Sequence, residues 1–467
     1  HPYGALGHPD RLWAARRVAY ALDRQLAVEE APEKEIRALL EKAYHEGARG
    51  VEEEGGGEVW DPAREGESLP DLLALEGNVP AVSIVRAMLL QGVRQRASDI
   101  HLEPTEAGLR VRYRIDGVLY ERALLRPGVR DEVTSRIKVM SKLDVAERRL
   151  PQDGGTTVRI GGRRIDLRVA VIPSQHGERV VMRILDRSTG LLTLEALGFE
   201  KEQETALRRI LNRSHGVVFL TGPTGSGKTT TLYAMLQTLD LSKRNVLTIE
   251  DPIEYQLPGI TQTQVSAKKG LTFAKGLRSL LRQDPDVIMM GEVRDAETAS
   301  LAVQAALTGH LVLSTLHTVD APGALTRLLD LGVEPYLVSS AVTAVLAQRL
   351  VRKICDGCKV KEPVPPEGLQ GEGWTEEDRA YFRSLNPTHL AYGKGCDKCL
   401  GTGYLGRTAV SEMLPVDDGI RDLVMRRAAA REVRDYALSQ GMVPLRRDAL
   451  AKAATNVTAI REAEGMG

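Results

Sequence analysis

From Gly216 onward the chain alternates two kinds of apolar pattern. Short runs of aliphatic and β-branched residues, "GVVFL", "NVLTIE", "ITQTQV", "DVIMMG" and "HLVLSTL", are separated by longer stretches with apolar residues three and four positions apart. Such short, nearly continuous runs predict strands of a largely buried sheet between helices. Upstream the pattern changes. "VPAVSIVRAMLLQGVRQR" and "RDEVTSRIKVMSKLDVAERR" predict helices, whereas "IHLEP", "LRVRYRIDGVLYER", "TTVRIGGRRIDLRVAVIP" and "ERVVMRIL" alternate as strands do. Residues 11–46 predict one or two further helices, and the Gly- and Glu-rich "GARGVEEEGGGEVWDPAREGES" predicts a flexible linker. The chain is therefore expected to be an α/β protein: a helical remnant at 1–50, a linker at 51–77, a smaller mixed α/β domain at 78–190 and a larger domain at 191–467. From about residue 350 we expect the cysteine segment (about 350–412) and a helical tail.

Composition narrows the choice of function. A chain of 467 residues has room for these separate cores. Its 63 basic residues balance 63 acidic ones, so no bulk positive field draws it to nucleic acid or anionic lipid. The best candidate for a membrane span, "SLAVQAALTGHLVLSTL", is interrupted by Gln304, Thr308 and His310, so a membrane role would need a partner. The opening "HPYGALGHPD" has neither a methionine nor a signal peptide, as expected of a piece of a longer protein. Four cysteines in two tight pairs suit a reducing compartment and a metal better than disulfides.

One motif names a ligand. "GPTGSGKT" fits G-x-x-x-x-G-K-[ST], with Gly222, Pro223, Thr224, Gly225, Ser226, Gly227, Lys228 and Thr229, followed by Thr230, between a predicted strand and a predicted helix. Glycines let backbone amides turn towards an anion, and the helix N-terminus favours the same charge. Lys228 is expected at the β- and γ-phosphates and the Thr229 hydroxyl at magnesium. Hydrolysis also needs a carboxylate to orient water. "DVIMMGEVRD" ends a buried strand at Glu292, the first choice for that role, with Gly291 where a magnesium-side aspartate would be expected. "TIEDPIEYQ" adds Glu250, Asp251 and Glu254, expected either to converge on a magnesium ion or to be solvated loop acids. His310 and His317 bracket "LVLSTL"; if that strand neighbours the phosphate loop, His317 lies at its carboxyl end, where open α/β sheets bind ligands, and His310 does not.

Positive charge on the transferring phosphoryl group is often supplied in trans. Arg168 in "IDLRVAV", Arg183 in "VVMRIL", and Arg278 and Arg282 in "GLRSLLRQDPD" are the candidates, the last two expected four apart on one helix face. The alternative is plain exposure on strand and helix surfaces. Taken together they point to an oligomer. Cys355 with Cys358, and Cys396 with Cys399, form two C-x-x-C knuckles whose four thiolates would complete a structural zinc site; a redox dithiol or an iron–sulfur cluster is the alternative.

With "ASDIHLEP", "RIKVMSKLDVAERRLPQDG", "PSQHGERVVMRIL", "GPTGSGKTTTLY", "IEDPIEY", "LRQDPDVIMMGEVRD" and "TGHLVLSTLHT" in view, residues 78–467 resemble the secretion ATPases that assemble type IV pili or drive type II secretion. The resemblance implies a RecA-like P-loop motor preceded by a smaller domain, in a homohexameric ring using ATP, magnesium and zinc. It implies that "TIEDPIEY" is the family's aspartate box, Glu292 its Walker B glutamate, His310 and His317 its histidine box, and the four arginines its nucleotide ligands at subunit contacts. It further implies a cytoplasmic protein held at the inner face of the membrane by a platform protein and a membrane-associated adaptor, with "MRILDRSTG" leading into a hinge. The four-cysteine segment sets the chain apart from retraction ATPases, and pilus extension is preferred to type II secretion. A nucleic-acid translocase, disfavoured by sparse aromatics, and a nucleotide switch without appreciable hydrolysis are the other readings.

Overall fold

In a computed structural model the residues described are 80–466, apart from 161–162, 187–190, 366–367 and 370–372. The expected helical remnant and the linker lie outside the described residues, as do residues 187–190 of the stretch that leads into the expected hinge. The chain divides into two compact units, His1–Thr189 and Gly190–Gly467.

The first unit holds six strands: β1 (Ala97–Thr105), β2 (Gly108–Ile115), β3 (Val118–Leu125), β4 (Gln152–Ile160), β5 (Arg163–Ser174) and β6 (Gly177–Asp186). They form one antiparallel sheet in the order β3-β2-β1-β6-β5-β4. Helices α1 (Ala81–Arg94) and α2 (Arg130–Met140) supply Ile84, Met88, Val133 and Ile137 to its core. The sequence pattern carried α2 on to Arg149, but it stops at Met140. Lys142 adopts φ 58°, and its neighbour Leu143 donates back to the Lys138 carbonyl at 2.9 Å, a left-handed stop. The Lys138 ammonium, fully buried, pairs with Glu178 of the β5–β6 turn side at 2.6 Å.

The second unit is a seven-stranded sheet of order β15-β12-β7-β11-β10-β8-β9. Its strands are β7 (Gly216–Thr221), β8 (Val246–Glu250), β9 (Thr261–Gln264), β10 (Val287–Met290), β11 (Leu311–Leu316), β12 (Val342–Ile354) and, antiparallel at one edge, β15 (Tyr404–Pro415). A separate pair, β13 (Lys359–Pro363) and β14 (His389–Gly393), flanks the cysteines. Along β7, Val217 and Phe219 join one hydrophobic cluster while Val218 and Leu220 join another, so both faces are dry. One face is covered by α3 (Lys201–Leu211) and α4 (Lys228–Gln237). The other is covered by α5 (Phe273–Leu280), α6 (Ala296–Leu307), α7 (Ala321–Asp330) and the C-terminal helices.

All five short runs of the sequence pattern are strands here, and the expected α/β class holds. The long β12 and β15 were not expected. They bring the region after residue 340 into the central sheet, directly beside the strand that carries the phosphate loop.

Candidate nucleotide and metal sites

The parallel register fixes what meets at the carboxyl ends of the strands. β7 pairs with β11, β11 with β10 and β10 with β8, so the segments after Thr221, Leu316, Met290 and Glu250 emerge along one edge. After β7, Gly222, Gly225 and Gly227 take φ values of 143°, 81° and 88°, conformations costly for residues with a Cβ. Pro223, Thr224 and Gly225 form an exposed crest, and Lys228 opens α4. The Lys228 ammonium donates to the carbonyls of Gly222 at 2.8 Å and Pro223 at 2.9 Å. Partial burial lowers its pKa and the Arg349 charge adds to the shift, while Glu292 opposes them. Thr229 is exposed and Thr230 half-buried; the buried Ser226 hydroxyl has no hydrogen-bond partner among the described residues. Glycines in left-handed geometry, a helix N-terminus and an orphaned hydroxyl suit a phosphate chain.

Glu292 follows β10 by two residues, and its side chain is 14% exposed. One carboxylate oxygen pairs with Arg294 at 2.5 Å; the other lies 3.3 Å from Nε2 of His317, at the carboxyl end of β11. Since β11 separates β10 from β7, His317 stands between the acid and the phosphate loop. The bond to Glu292 raises the Arg294 pKa, and Asp251 adds to the same field. The sequence reading passed over Arg294, although it stands two residues from the acid.

His310 is at the opposite end of β11, where its Nδ1 lies 2.8 Å from the Ala305 carbonyl at the end of α6, a helix-end contact. Glu250 is 3% exposed, and both oxygens are occupied: one accepts from Thr248 at 2.6 Å and Gln262 at 3.0 Å, the other from the Tyr233 hydroxyl. Both oxygens of Glu250 are thus held by protein donors rather than left to solvent. Asp251 is exposed, and the Glu254 N–H donates at 3.3 Å to the Tyr233 hydroxyl that itself donates to Glu250.

Arg278 pairs with Glu297 of α6 at 2.7 Å. Arg282 lies two residues past the end of α5 and donates to Ser279 at 3.3 Å, so the two arginines do not share a helix face as expected. Arg168 and Arg183 are direct cross-strand partners on β5 and β6. Like charges placed opposite each other repel; Arg183 is offset by Asp99 at 3.1 Å.

The four cysteine sulfurs lie within 4.8 Å of one another. Cys355 to Cys396 is 3.9 Å, Cys358 to Cys399 3.7 Å and Cys396 to Cys399 3.8 Å. A tetrahedral zinc with bonds of about 2.3 Å has sulfur–sulfur edges of about 3.8 Å, so the cage fits zinc without rearrangement. Backbone amides support thiolates: Gly395 donates to Cys358 at 3.3 Å, and Cys396 and Gly403 each donate to Cys399 at 3.2 Å. Burial works against a charged Cys399, but these amides and the neighbouring thiols hold its pKa down to about 6. Four donors of one kind in a closed cage leave no position for a substrate.

Among the described residues no helix is long and apolar enough to cross a membrane. Comparison with known proteins gives concordant results. Residues 74–465 match the family described as type II/IV secretion system protein. The type II secretion system ATPase E of Vibrio cholerae is 46% identical over 93% of this chain and 86% of its own length. The type IV pilus assembly ATPase PilB of Myxococcus xanthus is 41% identical over 99% of this chain and 81% of its own. Among solved structures, the Legionella pneumophila ATPase DotB shares the fold, with a TM-score of 0.62 and 22% identity over 85% of this chain and 98% of its own. The chain belongs to the type II/IV secretion system protein family, a family of secretion and pilus ATPases.

Proposed function

We propose that the chain hydrolyses ATP with Glu292 as the residue that orients water, Lys228 and the 222–230 loop holding the phosphates, and Thr229 holding magnesium. The observation that carries this reading is the placement of Glu292 and His317 in contact at adjacent strand ends beside the phosphate loop. His317 would sense the terminal phosphate. Arg168, Arg183, Arg278 and Arg282 would act across subunit contacts of a homohexamer. Turnover would drive a rocking of the two units that is passed to an inner-membrane platform, with the protein peripheral on the cytoplasmic face and the zinc cage purely structural.

Of the two transport tasks, type II secretion is supported by the more similar relatives, whereas pilus extension, preferred from the sequence, is supported by the Myxococcus xanthus relative at 41%. Deleting the gene and scoring exported enzymes against surface fibres separates them. For the chemistry, Glu292→Gln is expected to keep nucleotide affinity while lowering kcat about a hundredfold or more. An unchanged kcat would remove Glu292 from the reaction.

A further inference from the structure

Gln348 lies on β12, one residue past the last residue of that strand paired with β7, and belongs to none of the motifs named above. It is 1% exposed. Its carboxamide is used at both ends: Nε2 donates to the Ser226 carbonyl at 2.8 Å, and Oε1 accepts from the Thr231 hydroxyl at 2.8 Å. Ser226 belongs to the phosphate loop and Thr231 to the first turn of α4, so one amide ties the loop to its helix. The fit is close on both sides. A Cβ on Gly222 would stand 2.4 Å from the Gln348 carbonyl oxygen, and a Cβ on Gly227 would stand 2.8 Å from Gln348 Nε2. Two of the loop's glycines are therefore packed against this residue, apart from any need to expose amides.

The next residue extends the contact. The Arg349 guanidinium donates to the Val319 carbonyl at 2.9 Å, two residues after His317, and its Nη1 would lie 3.2 Å from a Cβ on Gly222. Consecutive residues of β12 thus hold the loop that grips phosphate and the loop that follows β11.

We infer that Gln348 is a positioning residue for nucleotide binding, an inference that rests on the ATP-binding reading of the loop. A buried carboxamide satisfied at both ends has one orientation, so it sets the curvature of the loop before the ligand arrives and spares binding the cost of ordering it. The loop amides cradle phosphates that ADP and ATP have in common. The signature of Gln348 is consequently a parallel change in affinity for both nucleotides, read as KM, with little change in kcat.

The test uses the full chain, fluorescent ADP and ATP titrations, steady-state kinetics and melting without nucleotide. Gln348→Met, similar in size but unable to make either bond, is expected to weaken both nucleotides about tenfold and to leave kcat within about threefold. Thr231→Val removes one bond only and is expected to weaken both about threefold. Gln348→Glu keeps the acceptor for Thr231 but turns a carboxylate towards the Ser226 carbonyl, and is expected to fall at least as far as Gln348→Met. Lower melting with unchanged affinity of the folded protein would show a merely structural role and overturn the inference. If Gln348→Met does not fold, Thr231→Val decides, and unchanged affinity there overturns it too. Failure of the unmodified chain to bind either nucleotide would instead refute the ATP-binding reading itself.

Discussion

The cysteine cage and the phosphate loop are both tight turns that point backbone amides at a ligand, yet they differ in what their other groups are doing. In the cage, four thiols of one chain already stand at the corners of a tetrahedron, with amides from Gly395, Cys396 and Gly403 behind them. In the loop, Lys228 bonds to the loop's own carbonyls, the Ser226 hydroxyl has no partner among the described residues, and Glu292 is held by Arg294 and His317. The charges expected to meet phosphate are paired elsewhere, Arg278 with Glu297 and Arg183 with Asp99. A structural site can be closed by its own chain. A working site keeps its reactive groups in contacts that a ligand or a neighbour can exchange.

The comparison breaks most visibly at the cage. Cys355→Ser with Cys399→Ser is expected to abolish zinc uptake, measured by atomic emission, and to make the segment around 355–404 protease-sensitive. Nucleotide affinity should be unchanged; a matching loss would mean the two sites are not independent. A smaller effect is expected at Arg294, whose side chain is 67% exposed. Arg294→Ala should raise basal turnover about fivefold, because an exposed ion pair of this kind is worth about 1 kcal/mol and its loss lets Glu292 turn to water. A fall in kcat would show that Arg294 acts on the reaction directly.

Glu250→Gln should leave kcat within about threefold but cost about 1–3 kcal/mol of stability in a denaturant titration, since three donors meet its carboxylate. Loss of turnover rescued by high magnesium would instead show Glu250 to be a metal ligand. The smallest effect concerns Glu412, buried on β15, where burial raises the pKa above the ordinary 4.5 although the Ala321 amide and Arg434 oppose it. The folded chain then holds this proton at pH values where the unfolded chain has released it. Stability should therefore fall as pH rises from about 4.5 through the raised value, with a slope of at most about 1.4 kcal/mol per unit. Glu412→Gln should flatten that slope; an unaltered slope would place the titration elsewhere.

The legible parts of the molecule were those whose determinants lie close together in the chain. The phosphate loop is eight consecutive residues, and each cysteine knuckle is four. The short apolar runs of β7, β8, β10 and β11 announced a covered sheet because each is too brief and too apolar for anything else. β12 was missed for a physical reason: "VTAVLAQRLVRKI" mixes Val, Thr and Ile with Ala, Leu, Gln, Arg and Lys, which favour helices, and its place between β7 and β15 settles it as a strand. With β12 unseen, Gln348 and Arg349 could not be connected to a loop more than a hundred residues away. The run from Arg130 to Arg149 kept its helical composition past the left-handed Lys142 that ends the helix. "TIEDPIEYQ" shows three acids in one short stretch but not the donors around Glu250; Tyr233 and Gln262, which engage it, come from α4 and β9.

Complementation between two inactive variants tests the central claim most directly. On the proposed reading, Glu292→Gln would damage the water-orienting side of a pocket, and Arg183→Ala the charge lent to a neighbour. Each alone should be nearly inactive, while a mixture assembled before assay should recover turnover, because some pockets then combine an intact Glu292 with an intact Arg183. A mixture no more active than the two variants separately would contradict a nucleotide site completed across subunits.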